Sequence, residues 1–319
     1  MPNSLLPSGA SSASVPDRSG ATMLTIGSRG SQLALWQAHH IASKLNGLGI
    51  ESQVKIIRTT GDHLQTASLV QAGGKGLFTK EIEEALLAGS IDVAVHSLKD
   101  LPTDTPNGLT IAAIPEREDP RDAIVGRRFA ELSHGAILGT SSGRRAAQLR
   151  ILRPDLCIEP VRGNVDTRLR KLKEGRYEAI LLAAAGLRRL GLEPEIAEIL
   201  DPDLLCPAPG QGALAVQTRA GDEAFRICRS LNHEPSEQAV TCERAALAAL
   251  GGGCQLPIGA FAACSDGSVH VTAIVIAPDG SRHIRSRGEG PAVQAGELGM
   301  RIGQDLLDRG AAELLSGLR

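Results

Sequence analysis

The sequence predicts an α/β protein: two modules of alternating strands and helices, followed by a smaller α+β module. Three observations carry this. Short apolar runs alternate with helical apolar spacing from Met23 onward, which implies α/β units around a mainly parallel sheet. A charged, proline-bracketed crossing, Pro115-Glu116-Arg117-Glu118-Asp119-Pro120-Arg121-Asp122, interrupts the pattern, which then restarts. Past Pro235 the character changes to one helix, three strand-like runs and a last helix. A length of 319 residues suits two or three domains, and 42% hydrophobic with 22% charged residues suits a globular chain.

The first module opens with a strand at Met23–Gly27. Leu33, Leu35, Trp36, Ile41 and Leu45 then give helical spacing over 32–45, with Ser31 as N-cap and Gly47 and Gly49 as terminators. Residues 53–58 alternate as a strand. Residues 61–76 lose periodicity and end in Gly73-Gly74-Lys75-Gly76, a long loop and a lid candidate. Thr79 caps a helix to about Ala88, Gly89 stops it, and Ile91–His96 is a strand entering Ser97-Leu98-Lys99-Asp100-Leu101-Pro102. In the second module Ile137–Gly139 leads through Thr140-Ser141-Ser142-Gly143-Arg144-Arg145 into a helix to Leu152. Cys157–Val161 leads through Arg162-Gly163-Asn164 into a helix over 165–173. Ala179–Ala183 is a buried strand before a short helix ending at Gly191, and 201–210 is a second crossing. The last module has a helix to Leu250, strand-like runs at 258–264, 269–276 and 281–288, and a helix over 292–309.

Composition excludes several functions. Lys plus Arg is 34 and Asp plus Glu 36, a net charge of −2, so no global field draws the chain to nucleic acid or an anionic membrane. Aromatics at 2% leave few platforms for stacking bases. The six cysteines form no Cys-x-x-Cys pair and no zinc-finger spacing with His, so no metal site is expected. Residues 1–22, rich in Ser, Pro, Gly and Ala, read as a disordered tail with neither export signal nor membrane span, which places the chain in the cytoplasm with reduced thiols.

Three strand-to-helix turns carry arginine: Arg29, then Arg144 and Arg145, then Arg162 with Arg168, each near Ser or Thr at a helix start. Helix N-termini attract anions, and guanidinium groups match carboxylate or phosphate. In open α/β sheets such turns gather at one edge. Five arginines there suit a ligand with several carboxylates or phosphates, unless each is solvated or paired with a surface acid. The phosphate-loop patterns fail: Gly74-Lys75 lacks the Walker spacing, and Gly210-Gln211-Gly212-Ala213-Leu214-Ala215 follows a crossing instead of a strand. Asp100, just past a strand and beside Lys99, is placed to oppose a developing cation, or else to cap a turn before Pro102. His96 reads as a satisfied interior residue, and His39 and His40 cannot converge on a metal. In Leu250-Gly251-Gly252-Gly253-Cys254-Gln255-Leu256-Pro257, three glycines clear space around a thiol that is either functional or a small buried hydrophobe.

Taken together, Leu33-Ala34-Leu35-Trp36-Gln37, Gly73-Gly74-Lys75-Gly76-Leu77-Phe78, Ala94-Val95-His96-Ser97-Leu98-Lys99-Asp100, Arg162-Gly163-Asn164-Val165, Pro209-Gly210-Gln211-Gly212 and the cysteine loop resemble the porphobilinogen deaminase (hydroxymethylbilane synthase) family from about Leu24 to the C-terminus. The resemblance implies two α/β domains like periplasmic binding proteins and a smaller C-terminal α+β domain with an open antiparallel sheet. The boundaries expected are 23–115 plus 213–230, 118–206 and 234–319. It implies a dipyrromethane cofactor held by Cys254 through a thioether, and porphobilinogen as the small-molecule substrate, with no nucleic acid, membrane or obligate protein partner.

By position, Asp100 matches the catalytic aspartate. Lys99, Ser142, Arg144 and Arg145 match cofactor contacts, and Arg29, Ser31, Arg162 and Arg168 match substrate contacts. Phe78 resembles the aromatic that packs on a pyrrole ring, and Lys75 belongs to the loop over the cleft. Every pyrrole carries an acetate and a propionate, which accounts for the arginines. Gly143, Gly251 and Gln71 depart from the residues usual there. The alternative from another class is a non-catalytic anion-binding protein with two α/β lobes.

Overall fold

The computed structural model describes residues 23–59, 79–252 and 256–316. The tail at 1–22, the lid candidate at 61–76, and Lys75, Phe78 and Cys254 lie outside the described residues.

The first α/β domain contains β1 (Leu24–Ser28), α1 (Gln32–Gly47), β2 (Ser52–Ile56), α2 (Lys80–Leu87), β3 (Val93–Ser97) and β4 (Leu109–Ala113). After β3 a single 3-10 turn covers Leu98–Asp100. The second contains β5 (Asp122–Gly126), β6 (Ile137–Gly139), α3 (Gly143–Leu152), β7 (Cys157–Glu159), α4 (Val165–Lys173), β8 (Ala179–Ala183), α5 (Ala184–Arg189) and β9 (Ile196–Ile199). The chain then returns to the first sheet as β10 (Leu214–Arg219), followed by α6 (Glu223–Cys228). The smaller C-terminal domain holds α7 (Glu234–Ala249), β11 (Ile258–Ser265), β12 (Ser268–Ile276), β13 (His283–Pro291), α8 (Ala295–Asp308) and α9 (Ala311–Leu315).

The first sheet runs β2-β1-β3-β10-β4 and the second β7-β6-β8-β5-β9. Each sheet is mainly parallel, as expected, with one strand running against the other four. β10 is antiparallel to both β3 and β4, and β5 is antiparallel to both β8 and β9. Each is the strand that follows a crossing, and neither shows in the sequence because its buried run is short and sits directly behind charged or Pro/Gly-rich residues. Their direction has a chemical result. Asp122, at the start of β5, pairs with Ala183 at the end of β8, and Leu214, at the start of β10, pairs with Ser97 at the end of β3. Residues leading into these strands therefore arrive at the carboxyl edges where the arginine turns gather.

Local chemistry agrees with most expected helix ends. Ser31, Ser142 and Asn164 cap α1, α3 and α4 by accepting from Ala34, Arg145 and Thr167 N–H groups. Thr79 does not behave as expected: it occupies the N-cap position of α2 in a helical backbone conformation and makes no side-chain cap bond. In the C-terminal domain, α7 and α8 share one core with the β11-β12-β13 sheet. A Cβ on Gly299 would stand 2.1 Å from the Cys242 carbonyl oxygen, so glycine lets α8 lie directly on α7.

All three domains meet at Glu243 on α7, which has no exposed surface. Its carboxylate accepts from Arg117 Nη1 at 2.8 Å and Nη2 at 3.1 Å, from Gly210 N at 2.6 Å and from Ala262 N at 2.7 Å. Arg117 belongs to the first crossing, Gly210 to the second and Ala262 to β11. A buried carboxylate is tolerated when its acceptor sites are filled in this way. The next residue, Arg244, donates to the carbonyl oxygens of Leu101, Pro102 and Thr103, just past the turn that carries Asp100.

Replacing Glu243 with Ala leaves Arg117 buried without its partner and is expected to cost about 3–5 kcal/mol, the range for breaking one side of a buried pair. A thermal melt of the purified variant checks this; an unchanged midpoint would remove Glu243 from its role as the junction.

Candidate active site

Because β1 and β3 are parallel neighbours, Ser28 and Ser97 end at the same sheet edge, and Arg29 and the Leu98–Asp100 turn follow them there. Asp100 is exposed, and no hydrogen bond or ion pair to its carboxylate occurs among the described residues. The turn after it is closed by Leu101 N–H donating to the Leu98 carbonyl, without help from the Asp100 side chain. Lys99, half-buried, donates from Nζ to Gln211 Oε1 at 3.3 Å.

From Gln211 a chain of polar contacts reaches the second domain. Its Nε2 donates to Pro120 O and to Asp122 Oδ1, each at 2.7 Å. Asp122 is fully buried and also takes Arg144 Nη2 at 2.8 Å on one oxygen and Arg145 Nε and Nη2 at 3.1 and 2.7 Å on the other. Arg145 further donates to Leu181 O, and Arg144 to Cys206 O. Burial pushes the Asp122 carboxyl up, and the two guanidiniums more than reverse this, holding it well below the ordinary range.

The site nonetheless has surplus positive charge. Burial lowers Lys99 to about 8, with Arg145 and Arg144 adding to the effect and Asp100 and Asp122 opposing it. Burial and the neighbouring Arg145 bring Arg168 down to about 10. Arg168 donates to the Gly163 carbonyl, and no acidic partner for it occurs among the described residues. Arg144 Nε is buried with no hydrogen-bond partner among the described residues. One internal acid thus serves two arginines, while Lys99 and Arg168 are cations made less stable by their surroundings.

The structure brings together Lys99, Arg144 and Arg145 around Asp122, with Arg168 beside Arg145. It places Asp100 next to them, and Arg29 and the Ser31 cap at the facing edge of the first sheet. Arg162 is exposed on the β7–α4 turn, where its carbonyl accepts from Lys171. A cavity of about 290 Å³ opens at the amino end of α3 between Thr140, Ser142, Gly143 and Pro257. Gly252, two residues before Cys254, comes close to the segment past Asp100: a Cβ on it would stand 2.9 Å from Thr103 Oγ1.

Several residues of this site had no signal as such in the sequence. Asp122 reads as one of many charges in a crossing, and Arg189 as a helix-end cation. Arg189 is buried, donates to Gly212 O at 2.6 Å and lies 5.8 Å over Trp36, which stacks on His40. Gln211 could have been found from the glycines around it. Gly212 has φ +86, and a Cβ there would sit 2.3 Å from Glu118 O, so the crossings touch only because it is glycine. His96 is satisfied by Gln217 at 3.0 Å, as expected.

Sequence comparison then decides the family. Residues 24–227 match the family model described as porphobilinogen deaminase, dipyromethane cofactor binding domain, and 237–308 match the porphobilinogen deaminase C-terminal domain. The chain belongs to the porphobilinogen deaminase family. Among curated relatives, the porphobilinogen deaminase of Roseiflexus castenholzii is 50% identical over 300 residues, covering 92% of this chain and 99% of that protein. That of Thermus thermophilus is 47% identical over 304 residues, covering 93% and 99%. Similarity to the solved methionine-binding protein MetQ is looser, with 12% identity and a TM-score of 0.42 over 68% of this chain and 90% of that one. The chain is accordingly a transferase of tetrapyrrole biosynthesis with a dipyrromethane cofactor. The residues present fit that group, since a pyrrole pair with several carboxylates meets surplus cations, an unpartnered Arg144 Nε and a glycine-lined approach. Among the described residues no helix is long and apolar enough to cross a membrane.

Burial holds His96 down to about 4, with Arg29 contributing and the Gln217 bond opposing. An unfolded His titrates near 6.5, so between about pH 6.5 and 4 only the unfolded chain takes up this proton, and stability falls as the pH falls. Replacing His96 with Asn is expected to flatten that acid slope. Urea midpoints measured from pH 7 to 4 check it; an identical slope would show that His96 is not the group responsible.

Proposed function

We propose that this cleft joins four porphobilinogen molecules head to tail, with loss of ammonia at each joining, and that hydrolysis then releases the linear tetrapyrrole hydroxymethylbilane. The observation that carries the reading is the Asp100 carboxylate at a strand end, without a partner among the described residues, beside a cluster of cations with one acid between them. Its domains are 23–115 with 213–230, 118–206, and 234–319, the last carrying the anchor Cys254. A cytoplasmic location agrees with the five free thiols among the described residues.

When bound, the dipyrromethane supplies a free pyrrole α-carbon as the starting point of the chain. Cys254 holds it through a thioether, and Lys99, Ser142, Arg144 and Arg145 receive its carboxylates. Arg144 and Arg145 do so from a scaffold fixed by Asp122, so little reorganisation is needed when an anion arrives. Ser142 uses an oxygen lone pair as the α3 cap, which leaves its O–H free to donate. Arg29, Ser31, Arg162 and Arg168 take the acetate and propionate of incoming porphobilinogen. Phe78 and Lys75 are assigned to the same substrate by the family resemblance. Each charge-assisted bond contributes about 1.5–3 kcal/mol.

Asp100 accepts the pyrrole N–H and opposes the positive charge that develops as ammonia leaves. An ionised carboxylate already aimed at that position acts without rearranging at the moment of reaction. The substrate amine departs as ammonia from its ammonium form, so no further proton is needed for departure, and the Asp100 carboxylate is placed to receive the proton lost from the new carbon–carbon junction.

Two measurements test these roles. Intact mass of the native protein should exceed the bare polypeptide by a pyrrole adduct, and Cys254→Ser should bring it down to the polypeptide mass. A native protein of bare polypeptide mass sinks the assignment. Asp100→Ala should keep the adduct and lose turnover by roughly 10²–10⁴-fold, the scale for removing an aligned electrostatic or proton-transfer group; near-normal turnover would refute its role.

A further inference from the structure

We propose that Gln211 is a positioning residue for the proposed reaction: it holds the Lys99 ammonium toward the cleft and couples it to the Asp122–Arg144–Arg145 cluster across the junction of the two α/β domains. This rests on the reading of the cleft given above. Gln211 is 1% exposed, and both ends of its amide are engaged. The oxygen accepts from Lys99 of the first domain at 3.3 Å, and the nitrogen donates to Asp122 of the second and to Pro120 of the first crossing, each at 2.7 Å. Its backbone carbonyl accepts from Arg117 Nε at 2.8 Å, which ties it to the Glu243 junction as well. An amide suits this position because Lys99 needs an acceptor and Asp122 a donor. A carboxylate here would oppose Asp122, and an ammonium would oppose Lys99.

The groups facing Lys99 are Asp100 on its own turn, Asp122 on β5, and Arg144 and Arg145 on α3. The two carboxylates favour the ammonium, whereas burial and the two guanidiniums disfavour it. With these opposed, Gln211 Oε1 is the neutral acceptor that keeps the proton on Lys99. Without it Lys99 loses its proton at lower pH and with it the ability to pair with a pyrrole carboxylate.

Competitive labelling of Lys99 by acetic anhydride, followed by peptide mass between pH 6 and 10, reads this directly and without turnover. In the enzyme as isolated, Gln211→Leu should lower the Lys99 titration by about one unit relative to wild type, the scale set by loss of one bond to a charged group. Gln211→Glu, which keeps size and acceptor and adds charge, should raise it. The alkaline limb of kcat/KM for porphobilinogen should move in the same two directions. In a Lys99→Arg background the limb should no longer respond to residue 211. An unmoved Lys99 titration, with activity falling equally at every pH, would overturn the proposal and leave Gln211 a packing residue. So would a limb shift that persists in the Lys99→Arg background. If Gln211→Leu does not fold, Gln211→Glu decides, since a titration that stays or falls overturns the proposal. The labelling reads Gln211 whether or not the protein carries a pyrrole adduct; a missing adduct would overturn the reading of the cleft instead.

Discussion

The site depends on one buried carboxylate. Asp122 has no exposed surface, and its two oxygens are divided among Arg144, Arg145 and Gln211. Two guanidiniums this close repel each other, and burial alone disfavours both. Asp122 makes their proximity tolerable while cancelling only one of their two charges. The uncancelled charge, with Lys99 and Arg168 beside it, is what the cleft offers a polycarboxylate. Asp122 can stand there because β5 runs antiparallel and brings its first residue to the carboxyl ends of its neighbours.

A second constraint is geometric. The proposed anchor, Cys254, and the proposed catalytic carboxylate, Asp100, stand far apart in the chain, yet the proposed reaction needs both on one pyrrole chain. Arg244 grips three carbonyl groups just past Asp100, and Gly252 lies against Thr103 in the same segment. Helix α7 and the segment just past Asp100 are thus held together by the Arg244 side chain on three main-chain carbonyls and by the close approach of Gly252 to the Thr103 hydroxyl. Glu243, one residue before Arg244, joins the same helix to both crossings.

Much of this was legible in the sequence, and the reason differs by element. β1, α1, β3 and α3 were readable because their signals are local: apolar period, cap residue, terminating glycine. Lys99, Asp100 and the arginine turns could be singled out because strand ends in α/β sheets are where ligand groups collect. The directions of β5 and β10 were not readable. Strand direction is fixed by pairing between residues far apart in the chain, such as Asp122 with Ala183 and Leu214 with Ser97, and no local pattern records it. For the same reason Asp122 and Gln211 could not be recognised as partners of Arg144 and Lys99. Their chemistry comes from what the return strands bring within reach, and neither residue type marks a site by itself.

Helix α7 has a consequence for how the protein accommodates a lengthening product. It is 16 residues long, about 24 Å, with the crossings bound near its middle and the chain toward Cys254 leaving its end. A helix bonded in this way to both crossings sets the proposed tether at the junction of the two α/β lobes, so in the proposed reaction the first ring is referred to that junction and not to either lobe.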